Sequence, residues 1–86
     1  MGNMAEQISE VDIVVSSLGE IHEDATVPRN VRTKIEFIIT ALKENTELQI
    51  KINKALNELD EIANDMNLQS YTRTQIWNAM SALEKL

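Results

Sequence analysis

Apolar residues recur at helical spacing in four separate stretches of the chain. Positions three or four apart lie on one face of an α-helix, so each stretch predicts an amphipathic helix with one buried side. The pattern predicts helices at about 4–23, 28–44, 47–65 and 70–85. Their apolar stripes are Ile8, Val11, Val15 and Leu18; Val31, Ile35, Ile38, Ile39 and Leu42; Leu48, Ile52, Leu56, Leu59 and Ile62; and Ile76, Ala79, Met80 and Leu83. We therefore expect an all-α fold, with residues 1–86 forming one helical domain.

Polar residues also indicate where the third and fourth helices begin. Thr46 and Thr72 each stand three residues before a glutamine, which is the spacing of a capping box. Ser70 is an alternative cap for the last helix. We therefore expect side-chain caps at both helix starts.

The two halves of the chain resemble each other. Residue n and residue n + 41 can be aligned without a gap, and the identical pairs include Leu18/Leu59, Glu20/Glu61, Ile21/Ile62, Asp24/Asp65, Arg32/Arg73, Thr33/Thr74, Ile35/Ile76, Ala41/Ala82 and Leu42/Leu83. Each half, about 4–45 and about 46–86, is therefore predicted to be one helical hairpin. Two repeats are too few for a solenoid, which needs about three. We expect the hairpins to fold face to face as a four-helix bundle with pseudo-two-fold symmetry.

Three stretches carry a resemblance to a known family. They are "VPRNVR" from Val27 to Arg32, "LDEIAND" from Leu59 to Asp65, and "RTQIW" from Arg73 to Trp77. From about Ile8 onward, the chain resembles uncharacterised protein family (UPF) 0147, whose members are small all-helical proteins of archaea. The resemblance implies a four-helix bundle. It implies no activity, because the family has none assigned.

Composition and charge argue against several classes of function. The chain has no Cys, which excludes disulfides, thiolate chemistry and cysteine zinc sites. No apolar run approaches the roughly 20 residues of a membrane span, and no secretory signal is recognisable, so we expect a cytoplasmic protein. The net charge of −6 arises in residues 1–28, which carry six acids and no Lys or Arg. This acidic balance argues against binding to nucleic acid.

Acidic residues recur at the ends of the first and third predicted helices. Glu20 and Asp24 are four apart, and Glu61 and Asp65 repeat them. Such pairs share a helix face, and pairs from two helices could bind a divalent cation through oxygen ligands, with His22 as an added nitrogen ligand. His22 is the only His and no Gly-rich phosphate loop is present, so we expect neither enzymatic activity nor a cofactor.

A structural role for these acids is the preferred interpretation. Carboxylates at a helix C-terminus, and Arg32 and Arg73 early in the following helices, both oppose the helix dipole. Each unfavourable placement is relieved if Arg32 reaches back across its turn to Asp24, and Arg73 to Asp65. We expect both arginines to bridge their turns in this way.

Four large apolar residues stand where the other half of the chain has a polar one. At about 100° per residue, each lies about 120° or more from the centre of its apolar stripe. They are Ile13, opposite Lys54; Phe37, opposite Asn78; Ile50, opposite Ser9; and Trp77, opposite Glu36. We expect these four at an interface, and hence a non-catalytic module that binds a protein partner or a second copy. The alternative is a metal- or small-ligand-binding bundle, which could be enzymatic; a nucleic-acid-associated protein ranks third.

Overall fold

Four helices make up the computed structural model, which describes the backbone of residues 4–86 and the side chains from Glu10 onward. They are α1 (Met4–Glu23), α2 (Arg29–Lys43), α3 (Leu48–Ala63) and α4 (Ser70–Glu84). The described part of the chain contains no strand. Every helix begins and ends within two residues of its predicted bounds, so the all-α, four-helix prediction is confirmed. The predicted stripe residue Ile8 lies outside the side chains described.

The helices pack as a ring around one centre. α1 and α3 each contact both α2 and α4, whereas the diagonal pairs make no contact in the described region. The connections are too short to cross a bundle 38 Å long, so successive helices run antiparallel. Each pair of neighbouring helices forms one face of the bundle. The α1–α2 and α3–α4 faces each lie within one half of the chain, and the α2–α3 and α1–α4 faces are formed by helices from different halves. None of the helices described has the length and hydrophobicity needed to cross a membrane.

Aliphatic side chains fill the centre of the ring. The buried apolar residues are Val11, Val14, Leu18, Ile21, Val27, Val31, Ile35, Ile38, Ala41, Leu42, Ile52, Ala55, Leu59, Ile62, Ala63, Leu68, Ile76, Ala79 and Leu83. The identical pairs Leu18/Leu59 and Ile35/Ile76 are all 0% exposed. Burial of each such side chain stabilises the fold by about 1.5–3 kcal/mol. These identical aliphatic pairs therefore contribute to the stability of the bundle.

The helix starts differ from the capping prediction. The N-cap of α3 is Glu47, one residue after Thr46, and the N-cap of α4 is Gln69; neither donates or accepts a side-chain capping bond. Because α4 already begins at Ser70, Thr72 falls on its inner face and is only 1% exposed. The capping-box prediction was therefore wrong at both helices.

The turns that close the two hairpins are built alike. The Asp24 carboxylate accepts a hydrogen bond from the Thr26 backbone N–H at 2.9 Å, and the Asp65 carboxylate accepts one from the Asn67 backbone N–H at 2.9 Å. A short polar side chain that bonds the backbone two residues on stabilises a turn locally. The equivalence is local to the turns, and the pseudo-two-fold symmetry of the whole bundle stays a prediction.

Candidate functional site

Arg73 reaches back across the α3–α4 turn, but not to a carboxylate. Its Nε donates to the Ala63 carbonyl at 2.9 Å, and its Nη2 donates to the Asp65 backbone carbonyl at 2.7 Å. Ala63 is the last residue of α3, where helix geometry leaves backbone acceptors unpaired, and Asp65 lies in the turn two residues on, where its carbonyl also accepts from the Leu68 N–H at 3.2 Å. The Asp65 carboxylate is occupied by Asn67 instead. The arginine therefore caps α3 and does not form the ion pair with the Asp65 carboxylate that the sequence suggested.

Arg32, the equivalent residue of the first half, behaves differently. Its Nε is buried and has no hydrogen-bond partner among the residues described. Asp24 accepts from the Thr26 hydroxyl at 2.7 Å as well as from the Thr26 backbone. Chiefly these two bonds, and to a smaller extent the charge of Arg32, hold the pKa of Asp24 below its ordinary value of 3.8. The two turns thus share the aspartate bonds and differ in what the arginine does.

The acidic residues proposed as metal ligands do not converge. Glu20 and Asp24 belong to the end of α1, Glu61 and Asp65 to the end of α3, and α1 and α3 lie diagonally across the ring without contact. Between Glu10 and Leu86, no group of three or more His, Cys, Asp or Glu side chains is placed to hold a metal ion. The geometry therefore gives the metal-binding alternative no support.

His22 makes a contact that the sequence did not predict. Its Nε2 lies 3.5 Å from a carboxylate oxygen of Glu36, across the α1–α2 face. The two side chains are 39% and 69% exposed, so the pair contributes little to stability. At the equivalent positions of the second half stand Ala63 and Trp77. The second half therefore has an aromatic side chain where the first has a solvated carboxylate.

The four side chains selected by comparing the halves all lie on the surface. The exposed fractions are 58% for Ile13, 52% for Phe37, 60% for Ile50 and 54% for Trp77. Two further residues, Met66 at 94% and Tyr71 at 69%, were missed. Tyr71 stands opposite polar Asn30 in the other half, so the same comparison could have found it. All three aromatic residues of the chain thus lie outside the core.

These exposed residues do not form one patch. Ile13 lines a groove between α1 and α4. Phe37 belongs to the α2–α3 face, where Lys54 Nζ lies 4.9 Å from the centre of the ring. In a ring of four helices, these two faces point in opposite directions. One contact with a flat partner therefore cannot cover both Ile13 and Phe37.

A concave groove runs between α1 and α4. It is lined by Ile13, Val14, Ser17, Glu20, Gln75, Asn78, Ala79 and Ala82. Its floor is Val14 and Ala79, which are buried, and its wall includes the small side chains of Ser17 and Ala82. The side-chain oxygen of Gln75 is buried here without a hydrogen-bond partner among the residues described. The groove thus combines an apolar floor with one unused acceptor.

Larger side chains occupy the equivalent positions of the α2–α3 face. Lys54 stands in place of Ile13, Phe37 in place of Asn78, and Glu58 in place of Ser17. The Lys54 ammonium over the Phe37 ring is a cation–π contact that spans this face. The two halves of the chain therefore differ in side-chain size at the positions that line the groove between α1 and α4.

Comparison with known proteins gives a family but no activity. The family described as "Uncharacterised protein family (UPF0147)" matches residues 1–86. A UPF0147 protein of Methanocaldococcus jannaschii is 46% identical over 74 residues, which cover 85% of this chain and 80% of that protein. One from Pyrococcus furiosus is 34% identical over 87 aligned positions, covering 100% and 91%. A crystal structure of a protein of unknown function has a TM-score of 0.84 at 41% identity, covering 90% of this chain and 89% of that one.

Proposed function

The chain belongs to uncharacterised protein family UPF0147, and we propose that it is a non-catalytic protein–protein interaction module. The observation that carries this proposal is the position of the aromatic residues. The chain has one Phe, one Tyr and one Trp, and each is more than half exposed. Aromatic side chains are enriched where proteins contact partners, and they bury a large area at small entropic cost.

Packing in the described core gives no reason for the placement of Tyr71 and Trp77, whereas Phe37 makes a cation–π contact with Lys54. The core is entirely aliphatic apart from Thr72, and it is closed without any of the three rings. Trp77 also stands at the position that the other half gives to Glu36, a solvated residue. An aromatic ring that the fold does not use is best explained by a partner that covers it.

A second copy of the chain is the other form that this function could take. The net charge of −6 opposes association between copies, because like charges repel at close range. We therefore favour a different protein as the partner. Sedimentation velocity over a wide concentration range separates the two, since only self-association makes the sedimentation coefficient rise with concentration.

Quantitative affinity capture from an archaeal cell extract tests the proposal. Trp77→Ala and Tyr71→Ala are compared with Glu36→Ala and Asn30→Ala, which change the equivalent positions of the other half. A Trp or Tyr anchor contributes about 2 kcal/mol or more where a partner buries it, so partner recovery should fall about tenfold or more. The two control variants should recover the partner like the wild type. Equal recovery by all four variants would argue against the proposal.

A further inference from the structure

We propose that the α1–α4 groove binds a positively charged amphipathic helix of another protein. Its apolar side chains would cover Ile13 and the groove floor, and its Lys or Arg side chains would face the acids of α1. This inference rests on the proposed interaction function, and it adds a second contact surface and the chemistry of its occupant, because none of the three aromatic residues lines the groove.

The shape of the groove suits a helix of a few turns. Its apolar floor is Val14 and Ala79, and it continues past Ala82 to Glu10 and Leu86 at the far end. At 1.5 Å per residue, the ten-residue rise from Glu10 to Glu20 gives a length of about 15 Å. That length accommodates about three turns, enough for apolar anchors at i, i+4 and i+7.

Charge selects a basic partner for this face. Two acids of α1 line this surface, Glu20 in the groove and Glu10 in its extension, and Lys85 is the one basic side chain that lines the groove or its extension in the described region. The α2–α3 face carries more basic residues: its Lys51, Lys54 and Lys34 stand where the groove has Glu10, Ile13 and Gln75, although Glu58 and Glu61 stand where the groove has Ser17 and Glu20. Complementary charge speeds association and rejects wrong partners. A basic helix is therefore favoured at one face of the bundle only.

A buried hydrogen-bond acceptor without a partner in the described region also indicates that another molecule occupies the groove. The side-chain oxygen of Gln75 lies buried in the groove lining without a partner among the residues described. Buried polar atoms in proteins are nearly always hydrogen-bonded, so one that is not calls for an explanation. A Lys or Arg side chain entering beside Gln75 would supply the missing donor.

A second copy fits the groove poorly. Pairing groove to groove about a two-fold axis would bring two acidic α1 helices together. Pairing the groove with the lysine-bearing α2–α3 face of another copy is heterologous, and such contacts continue into open filaments unless the rotation closes a ring. Both arguments favour a different protein as the occupant.

The test uses a synthetic helical peptide of about 14 residues, with Leu at i, i+4 and i+7 and Lys at the remaining polar positions. Titration into the ¹⁵N-labelled full chain should shift amide signals of residues 10–20 and 75–86 and leave the α2–α3 face unchanged. The same peptide with Glu in place of Lys should not bind. Failure of the Lys peptide to bind, or signal changes spread over the α2–α3 face, would overturn the proposal.

Two variants then separate a specific groove from general attraction. Ile13→Ser removes the apolar wall, and Glu20→Lys reverses one charge; each should weaken binding about tenfold. Glu61→Lys makes the same charge change at the equivalent position of α3 and should change the affinity about twofold at most. Equal weakening by Glu20→Lys and Glu61→Lys would overturn the inference, since it would show diffuse charge attraction.

The outcomes also separate this inference from the function on which it rests. If the wild-type chain self-associates and the Ile13→Ser variant does not, the occupant is a second copy and the basic-helix proposal is wrong. If the peptide fails to bind while Trp77→Ala still loses the captured partner, the groove proposal fails and the interaction function stands.

Discussion

Replacing Arg73 should destabilise the bundle far more than replacing Arg32, its equivalent in the other half. Arg73 donates two hydrogen bonds to backbone carbonyls, to Ala63 at the end of α3 at 2.9 Å and to Asp65 in the following turn at 2.7 Å. Arg32 leaves its buried Nε without a partner in the described part of the chain. The repeat thus supplies a matched control, because both residues stand one turn into the second helix of their hairpin.

The size of the effect follows from those bonds. A hydrogen bond from a charged donor contributes about 1.5–3 kcal/mol when it is well formed. Both bonds of Arg73 come from one partly exposed guanidinium, so we expect a total of about 2 kcal/mol for Arg73→Ala. Arg32→Ala loses only the packing of its stem and a weak charge attraction, about 1 kcal/mol at most. At 4–8 °C per kcal/mol for a domain of this size, the Tm should fall by about 8–16 °C for Arg73→Ala and by less than about 8 °C for Arg32→Ala.

Urea and thermal unfolding followed by circular dichroism at 222 nm measure both effects. Arg73→Lys should recover little, because an ammonium cannot reproduce the two-pronged contact of a guanidinium. Asp65→Ala keeps the carbonyl that accepts from Arg73, so the effect of Arg73→Ala should be nearly the same in that background. If Asp65→Ala removes the effect of Arg73→Ala, the carboxylate is the partner and the structural argument is wrong. Equal losses for the two arginines would also refute it.

Three further predictions concern single residues. Gly19→Ala should raise the free energy of unfolding by about 0.5–1 kcal/mol, because a Cβ there meets no atom within 4 Å and alanine favours a helix; a lower Tm would contradict this. Thr26→Ala should raise the pKa of Asp24 toward 3.8, measured by NMR titration of the carboxyl group. Because folding lowers the pKa of Asp24, the contribution of Asp24 to stability is fully present at a pH above its ordinary pKa. That contribution is lost as the pH falls through the lowered pKa. An acid-unfolding profile that Thr26→Ala leaves unchanged would contradict this. Trp77→Ala should leave the helical content intact and change stability by about 0.5 kcal/mol or less, because the ring is 54% exposed; unfolding of the monomer would contradict this.

The helices were predictable because their signal is dense and is given twice. Leu18 and Leu59 are identical, fall on the apolar stripes of their helices, and are completely buried. The caps were not predictable in the same way. Whether Thr46 or Glu47 is the N-cap of α3 depends on the residue at which the helix begins. Packing of α3 against its neighbours in the ring decides this. Local spacing carries no information on that point.

Comparison of the halves identified four of the six large hydrophobic side chains that are exposed in the described region, but not how they group. That Trp77 lies on the surface follows from Glu36 at the equivalent position. That Ile13 and Phe37 point in opposite directions follows only from the order of helices in the ring, in which α1 closes against α4. For the same reason, the sequence did not predict the groove. A side chain as small as Ser17 forms part of the groove wall only because α4 packs beside α1.

The central claim is that the exposed aromatic residues are there to be covered by a partner, and the fluorescence of the single Trp tests it most directly. In the free monomer, Trp77 should emit at long wavelength and be quenched readily by acrylamide, because half of the ring is in water. In the complex with the captured protein, the emission should shift to the blue and the quenching should fall. Blue, shielded emission in a demonstrated monomer would place Trp77 in the core, and unchanged emission in the complex would show that the partner does not cover it.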